Sequence, residues 1–257
     1  MAGRATSWLK RAVLEVQDYL KLVGQVGRSL VTRPIYARDI VEQLDAIGIG
    51  SLMVVVMTGA FTGLVLALQS GTILDQFGAR PVVGRLVAAS MVRELGPVLT
   101  ALMVTGRVGS GIAAELGSMV VTDQIAALRA LGTDPVRKLV LPRVVAAVIM
   151  LPILTVIADG VGMLGGAIIS SLQLKVAWSV YWNNVVMGLF FEDLWMGLLK
   201  PVVLGFTFVT IACHVGLRTT GGTQGVGRAT TNAVVIGSVV VLAMNFLVTK
   251  LLLTLVY

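Results

Sequence analysis

Residues 47–70 contain no charged side chain, and this feature constrains the fold more than any other. A helix crosses a bilayer with about 20 apolar residues, whereas an outer-membrane strand uses about 10 of alternating polarity. Only 13% of the chain is charged and 56% is hydrophobic, against roughly 25% charged in soluble proteins. The sequence therefore predicts an all-α integral membrane protein and excludes the folds of water-soluble enzymes.

Residues 47–257 are predicted to form a transmembrane domain with five helical spans, at about 47–70, 86–106, 140–164, 195–217 and 232–255. The first span contains Gly59 and Gly63, a spacing that permits close helix approach. Residues 1–46 form a separate N-terminal region. Over residues 8–23, apolar residues recur there at intervals of three and four residues. This spacing is typical of an amphipathic helix in the membrane interface, with Trp8 as anchor. A helix packed against a partner protein is the alternative, and Pro34 is expected to end this region.

The charge distribution predicts the orientation in the membrane. The chain has 20 Lys and Arg against 13 Asp and Glu, a net charge of +7. A cytoplasmic N-terminus and five spans place 14 of the 20 cations on the cytoplasmic side and the C-terminus outside, as the positive-inside rule requires. The excess positive charge is thereby explained without nucleic acid.

Motifs for catalysis are missing from the sequence. His214 is the only histidine, and there is no H-E-x-x-H metal motif. The glycine-rich stretch 221–229 lacks the Lys and Ser/Thr of a phosphate loop, which favours a flexible turn. Cys213 is the only cysteine, so no intrachain disulfide forms. We expect a protein that is not an enzyme, with no metal site and no cofactor, whose energy source is another subunit.

The segment 107–138 is the longest polar loop and is predicted to hold a short cytoplasmic helix at about 114–132. Glu115 stands near its start, and Gly132 with Pro135 would end it. Exposed Met119, Ile125, Leu128 and Leu131 would fit a groove on another protein. A helix lying flat on its own transmembrane bundle is the alternative.

Several ordered motifs resemble the MlaE family. They are Arg93-Glu94-Leu95-Gly96-Pro97, Ala114-Glu115-Leu116-Gly117, Thr122-Asp123-Gln124, Asp134-Pro135 and Gly225 to Thr231, and the resemblance covers about residues 40–257. Members of this family are permease subunits of bacterial ABC transporters that move phospholipid between the inner and outer membranes. The resemblance implies a multi-pass protein of the bacterial inner membrane, with its N-terminus cytoplasmic and its C-terminus periplasmic.

The resemblance also implies partners. We expect a homodimer, a cytoplasmic ABC ATPase that binds the ATP, an MCE-domain protein on the periplasmic side and, in some systems, a STAS-domain protein. In this view the residues that couple the permease to the ATPase are Glu115, Met119, Asp123, Gln124 and Leu128.

Polar residues on three spans predict a shared lipid cavity. Arg93, Lys200 and Asn245 lie roughly 8–16 Å from the outer ends of their spans, at 1.5 Å per residue. In the resembling family, charged residues at these positions line the lipid cavity, although the position of Asn245 is usually Asp. Arg93 and Lys200 would then receive a phospholipid phosphate in a net positive cavity, with Glu94 holding Arg93 or facing the second subunit. An interhelical pair between Glu94 and Lys200 is the structural alternative.

A secondary transporter or channel is the competing function. Its support is the intramembrane Arg93, Glu94 and Lys200, because such charges often mark ion pathways. The absence of internal self-similarity in the sequence argues against it.

Overall fold

The computed structural model describes the backbone of residues 2–31 and 36–256, and the side chains within residues 13–30 and 36–254. Pro34 and the side chain of Trp8 lie outside these residues. The described chain has eight helices and no strand. They are α1 (Ala2–Val31), α2 (Ala37–Gln76), α3 (Arg80–Val121), α4 (Gln124–Ala130), α5 (Val136–Leu172), α6 (Trp178–Gly188), α7 (Phe191–Leu217) and α8 (Gly222–Val256).

Five helices (α2, α3, α5, α7 and α8) are long and apolar enough to cross a membrane. The predicted all-α fold with five candidate spans is therefore confirmed, although each helix extends beyond the span predicted for it. Small residues bring α2 and α5 together. A Cβ added at Gly59 would lie 2.6 Å from the Ala158 carbonyl oxygen, and one added at Gly63 would overlap the backbone of Gly162. The predicted close approach at Gly59 and Gly63 thus occurs.

Helix α3 differs most from the prediction. The segment expected to be a polar loop from residue 107 continues as helix to Val121, because its small residues let α3 pack closely on α7. A Cβ at Gly117 would lie 2.7 Å from Thr219 Oγ1, and one at Gly216 would lie 3.0 Å from the Leu116 side chain. The single helix predicted over 114–132 is consequently two helices. They are separated at Asp123, whose φ of 58° lies in the left-handed region.

Two groups of helix ends define the two ends of the bundle. At the first, called the α4 end, α4 joins the C-terminus of α3 to the N-terminus of α5, and Lys138 pairs with Asp39 at the start of α2. At the other, called the α6 end, α6 packs against the start of α3, where Gly84 adjoins Tyr181. Helix α6 was not predicted as a helix, since it lies in a connector between two spans.

Helix α7 contributes much of the core, with Leu204, Phe208 and Val209 almost fully buried. Helix α1 lies against the bundle at the α4 end. Its Leu22 and Val26 belong to the same core, whereas Val13, Val16 and Leu20 point outward and are 57–64% exposed. This arrangement gives α1 one face on the protein and one apolar face without a protein neighbour.

Candidate functional site

A wide helical turn in α3 presents Arg93 and Glu94, two of the three charged residues that the sequence places inside the membrane. Between Met91 and Leu95 the helix follows a π-helical path, with the Gly96 N–H donating to the Met91 carbonyl five residues earlier. Such turns often occur at functional sites. Pro97 follows and has no N–H for the Arg93 carbonyl. That carbonyl instead accepts a hydrogen bond from Lys200 Nζ of α7.

Lys200 is also paired with Glu94. Its Nζ lies 2.7 Å from Glu94 Oε1, and its side chain is only 2% exposed, whereas that of Glu94 is 42% exposed. The interhelical pair that the sequence left as an alternative is thus present. Burying an ammonium group is costly unless it is paired and hydrogen-bonded, and Lys200 meets both conditions.

Arg93 has an acidic partner that sequence reasoning missed. Its Nε lies 2.7 Å from Asp193 Oδ1, and its Nη2 donates to Asp193 Oδ2 at 2.9 Å. Asp193 also accepts the Phe190 N–H at the start of α7, where the helix dipole favours a negative charge. The position of Asp193 in the first turn of α7 was the available signal, but no spacing rule connects it with a residue 100 positions earlier.

Helix α8 completes the site through Asn245 and Thr249. Asn245 Nδ2 donates to Glu94 Oε2 at 3.3 Å, and Thr249 Oγ1 donates to Glu94 Oε1 at 3.2 Å. Thr249 was not predicted, although it stands one helical turn from Asn245 on the same face. We call the six residues that α3, α7 and α8 contribute here the polar cluster; they are Arg93, Glu94, Asp193, Lys200, Asn245 and Thr249.

The polar cluster is electrically neutral, so the expected net positive cavity is not found. Two cations, Arg93 and Lys200, face two carboxylates, Glu94 and Asp193. The expectation was wrong because it counted Glu94 as the partner of Arg93 and overlooked Asp193. Lys200 and Asp193 are buried, whereas the side chains of Arg93 and Glu94 are 39% and 42% exposed. Arg93 is therefore the cation that a ligand outside the protomer can reach.

The residues predicted to couple to another subunit lie at the α4 end, and not all are equally accessible. Asp123 and Gln124 are exposed, and Leu128 is partly buried. Met119 packs against the core at its edge. Ile125 is buried, so the prediction that it is exposed to a partner was wrong.

Glu115 occupies a different place from the other four coupling candidates. Its Oε1 lies 2.7 Å from Arg143 Nη2, and the Arg143 side chain is only 3% exposed. Arg143 also donates to the Leu139 carbonyl at 2.9 Å. Glu115 thus joins α3 to α5 and neutralises a buried cation behind the exposed residues.

Polar contacts fix α1 to the C-terminus of α7. Tyr19 hydrogen-bonds Thr210 at 2.9 Å and meets the His214 ring edge to face at 5.7 Å. Arg218 Nη1 donates to Asp18 at 2.8 Å. The Lys21 ammonium, which also donates to Asp18, holds the pKa of that carboxyl below its ordinary value. Asp18 therefore keeps its charge, and this link, to a lower pH than an unpaired aspartate would.

Comparison with known proteins agrees with this architecture. The profile of a family described as "Permease MlaE" matches residues 40–251. The "Probable ABC transporter permease protein" of Rickettsia typhi is 45% identical over 87% of this chain and 86% of its own. The "Intermembrane phospholipid transport system permease protein MlaE" of Haemophilus influenzae is 33% identical over 93% and 94%. The chloroplastic "Protein TRIGALACTOSYLDIACYLGLYCEROL 1" of Arabidopsis thaliana is 35% identical over 89% and 65%.

Proposed function

The chain belongs to the MlaE family of ABC transporter permeases, and on that premise we propose that it carries phospholipid between two membranes. Permease subunits of this class lack an ATPase domain, so a separate subunit hydrolyses the ATP. The observation that carries the proposal for this chain is the polar cluster. It places a neutral but highly polar group inside an apolar helix bundle, where isolated charges are costly.

The polar cluster suits the head group of a phospholipid. An arginine guanidinium presents planar N–H donors that match the oxygens of a phosphate. Arg93 is the accessible cation, and its pairing with Asp193 holds the guanidinium in place without covering it. Arg93 is thus the phosphate contact, while buried Lys200 positions Glu94. This revises the sequence hypothesis, in which Lys200 contacted the phosphate directly.

The acyl chains of the lipid would rest on apolar walls beside the cluster. On α8, Leu242, Phe246 and Leu247 are 51–66% exposed and flank Asn245. A second protomer facing this side of α8 would enclose the cluster between two copies. The expected homodimer would therefore build the cavity from both subunits.

The α4 end supplies the surface for the ATPase. Asp123 and Gln124 stand at an exposed break between α3 and α4, and Leu131, at the other end of α4, is 80% exposed. A short helix presented in this way suits a shallow groove on a partner. The ion pair between Glu115 and Arg143 supports this surface by joining α3 to α5. A displacement of α4 is thus transmitted to both α3 and α5.

The positive charges at the α4 end support a placement in the cell. The α4 end carries Arg129, Arg137 and Lys138, which favours the cytoplasmic side of a bacterial inner membrane. The α6 end then faces the periplasm, where an MCE-domain protein would exchange lipid, and the C-terminus is periplasmic. A STAS-domain protein would join the cytoplasmic side.

The competing function, a secondary transporter or channel, loses its main support. Its support was the presence of Arg93, Glu94 and Lys200 inside the membrane, and these residues form ion pairs that tie helices together, so a structural role also explains them. Membership of an ABC permease family also assigns the energy source to ATP.

Reconstitution tests the proposal directly. The chain is inserted into liposomes together with its ATPase, and the transfer of a labelled phospholipid to acceptor liposomes is followed with ATP. We expect transfer that stops when ATP is replaced by a non-hydrolysable analogue. Transfer driven by an ion gradient without ATP would contradict the proposal and favour the secondary transporter.

A further inference from the structure

A polar cavity lies at the α4 end of the bundle, between α1 and the turn that joins α7 to α8. Its volume is about 600 Å³, which is within the range of small-molecule sites. The residues that line it include Glu15, Arg218, Thr220, Arg228, Asn232 and Ile236. The cavity is far from the polar cluster, since Asn232 and Asn245 lie 13 positions apart on α8, or about 20 Å at 1.5 Å per residue.

The glycine-rich stretch 221–229 forms one wall of the cavity. The sequence favoured a flexible turn here, and that interpretation was wrong, because the chain is helical from Gly222 onward. Gly225 packs against the preceding turn, where a Cβ would overlap the Thr220 carbonyl. Arg228 and Asn232 therefore stand on the first turns of α8, four residues apart on the same face.

The charges at the cavity do not cancel. Arg218 Nη2 lies 3.4 Å from Glu15 Oε1, and its Nη1 donates to Asp18 at 2.8 Å. Lys21 also donates to Asp18. Arg228 is exposed and has no ion pair or hydrogen bond with any of the described residues. Three cations thus face two carboxylates, and the charge of Arg228 is the one left over.

Two arginines that line one cavity suit a phosphate group. A guanidinium presents planar N–H donors that match phosphate oxygens, and its hydrogen bonds are charge-assisted. The pairs with Glu15 and Asp18 hold Arg218 in place, while its side chain stays 43% exposed. Arg228 lines the same cavity from α8. A bound phosphate would therefore join α7 to α8.

The cavity lies at the level of a membrane interface, because two candidate spans meet there. Leu217 is the last residue of α7 and Gly222 is the first of α8. On α8 the cavity lining changes from Arg228 through Asn232 to Ile236, eight residues or about 12 Å further into the span. A cation, an amide and an apolar side chain thus follow one another toward the membrane. A phospholipid presents its phosphate, ester carbonyls and acyl chain in the same order, whereas free phosphate would leave the inner part of the cavity unused.

From these features we propose that the cavity binds the phosphate of an anionic phospholipid, with Arg218 and Arg228 as the donors. The acyl chain lies along α8 at Ile236 and Val239, which are 45% and 62% exposed. The unpaired charge of Arg228 selects an anionic head group, because a zwitterionic one brings an ammonium group of its own. This site rests on the proposed placement in a bilayer, which puts it in the cytoplasmic leaflet, and not on lipid transport.

Photo-crosslinking in nanodiscs tests the proposal with the full-length chain. Trace phosphatidylglycerol or phosphatidylcholine with a photoreactive acyl chain is added, and labelling of the segment 228–239 is quantified. Both lipids have a phosphate, but only phosphatidylglycerol has a net charge. We expect phosphatidylglycerol to label the segment about fivefold more, the ratio that about 1 kcal/mol for one cation gives.

A competition arm separates a lipid from a soluble ligand. Millimolar inorganic phosphate should reduce the labelling no more than sodium chloride of the same ionic strength, since it has no apolar part to place against Ile236. A specific loss of labelling with inorganic phosphate would overturn the lipid and assign the cavity to a soluble phosphate.

Two variants identify the cause of the preference. Arg228→Gln removes the unpaired cation and should bring the labelling ratio of the two lipids close to one. Asn232→Trp fills the cavity from an exposed position and should reduce labelling by both lipids. Arg129→Gln is the matched control and should label like the wild type. Arg129 is an exposed arginine of α4 that also has no ion pair among the residues described, and it does not line the cavity.

Three results with these proteins would overturn the proposal. They are equal labelling by both lipids in the wild type, an undiminished preference in Arg228→Gln, and an equal loss of preference in Arg129→Gln, which would indicate diffuse surface charge. Efficient disulfide cross-linking of Asn232→Cys between two copies would assign the cavity to a protein interface instead. All labelling is measured without ATPase or nucleotide. A failure here is therefore separate from a failure of ATP-driven transport.

Discussion

Lys200 Nζ lies 2.7 Å from Glu94 Oε1, and this ion pair connects α7 with the wide turn of α3. One partner is buried and the other is nearly half exposed. Glu94 also accepts hydrogen bonds from Asn245 and Thr249 of α8, so one carboxylate joins three helices. Glu94 is therefore a structural centre of the bundle, and its side chain is also 42% exposed.

Lys200→Met removes the ammonium while keeping a long side chain, and we expect the bundle to lose stability. Breaking a fully buried pair costs about 3–5 kcal/mol. The cost here should be smaller, because Glu94 keeps its bonds from α8 and remains accessible. Thermal unfolding in detergent measures the loss. The double variant Lys200→Met/Glu94→Gln removes both charges and should recover most of it, whereas no recovery would argue against an ion pair.

The same variant distinguishes a lipid site from a purely structural pair. If the polar cluster binds lipid, Lys200→Met should assemble as a dimer but retain less co-purified phospholipid. If the pair is only structural, the dimer itself should fail to form. Size-exclusion chromatography with lipid analysis of the dimer peak separates these outcomes.

Asn245→Asp should weaken the binding of anionic lipids more than that of zwitterionic lipids. The new carboxyl group would lie at the 3.3 Å contact with Glu94 and, when ionised, would make the neutral polar cluster negative. Binding of phosphatidylglycerol and phosphatidylethanolamine is compared in nanodiscs. Asn184→Asp on α6 adds the same charge far from the cluster and is the control. Equal weakening of both lipids would mean that charge in the cluster does not select the head group.

Asp123→Lys should uncouple the permease from its ATPase while leaving membrane insertion intact. Reversal of an exposed charge replaces attraction by repulsion, so we expect roughly tenfold weaker ATPase binding. Lysine also strains a residue whose φ is 58°, whereas asparagine tolerates it. Asp123→Asn is therefore the matched variant that removes the charge alone. Pull-down and ATPase stimulation measure the effect, and wild-type values in both variants would remove Asp123 from the interface.

Helix α1 should lie in the inner leaflet interface with its outward apolar face in lipid. Among the described residues, Val13, Val16 and Leu20 are 57–64% exposed, while Tyr19 is fixed to Thr210 on the opposite face. Spin labels at these three positions should be accessible to oxygen, and a label at exposed Gln17 should be accessible to a water-soluble relaxant. Uniform access of the water-soluble relaxant would indicate a helix outside the membrane.

Hydropathy predicted the spans because long apolar stretches have few alternatives in a membrane. The extent of α3 was not predicted, since a Gly- and Ser-rich stretch such as 106–111 is also typical of a loop. Only close packing on α7, visible at Gly117 and Gly216, shows why it stays helical. The break at Asp123 was likewise missed, because asparagine and aspartate enter the left-handed region without a distinctive pattern.

The polar cluster was predicted in part. Arg93, Glu94, Lys200 and Asn245 stood out as polar residues within apolar spans, and the structure brings all four together. Their pairing was not predicted, because the partner of Arg93 is Asp193, at the start of a different helix. Partners that are 100 residues apart follow from tertiary packing, which periodicity and composition do not contain.

The central claim, that the polar cluster carries the phospholipid through Arg93, is tested most directly by one transport measurement. The double variant Arg93→Gln/Asp193→Asn removes the phosphate contact and keeps the cluster neutral, so that no buried charge is left unpaired. The variant is reconstituted with the ATPase, and ATP-dependent transfer of labelled phospholipid is compared with that of the wild type. We predict that transfer falls at least about tenfold, while dimer assembly and ATPase binding are retained. Transfer at the wild-type rate would contradict the claim.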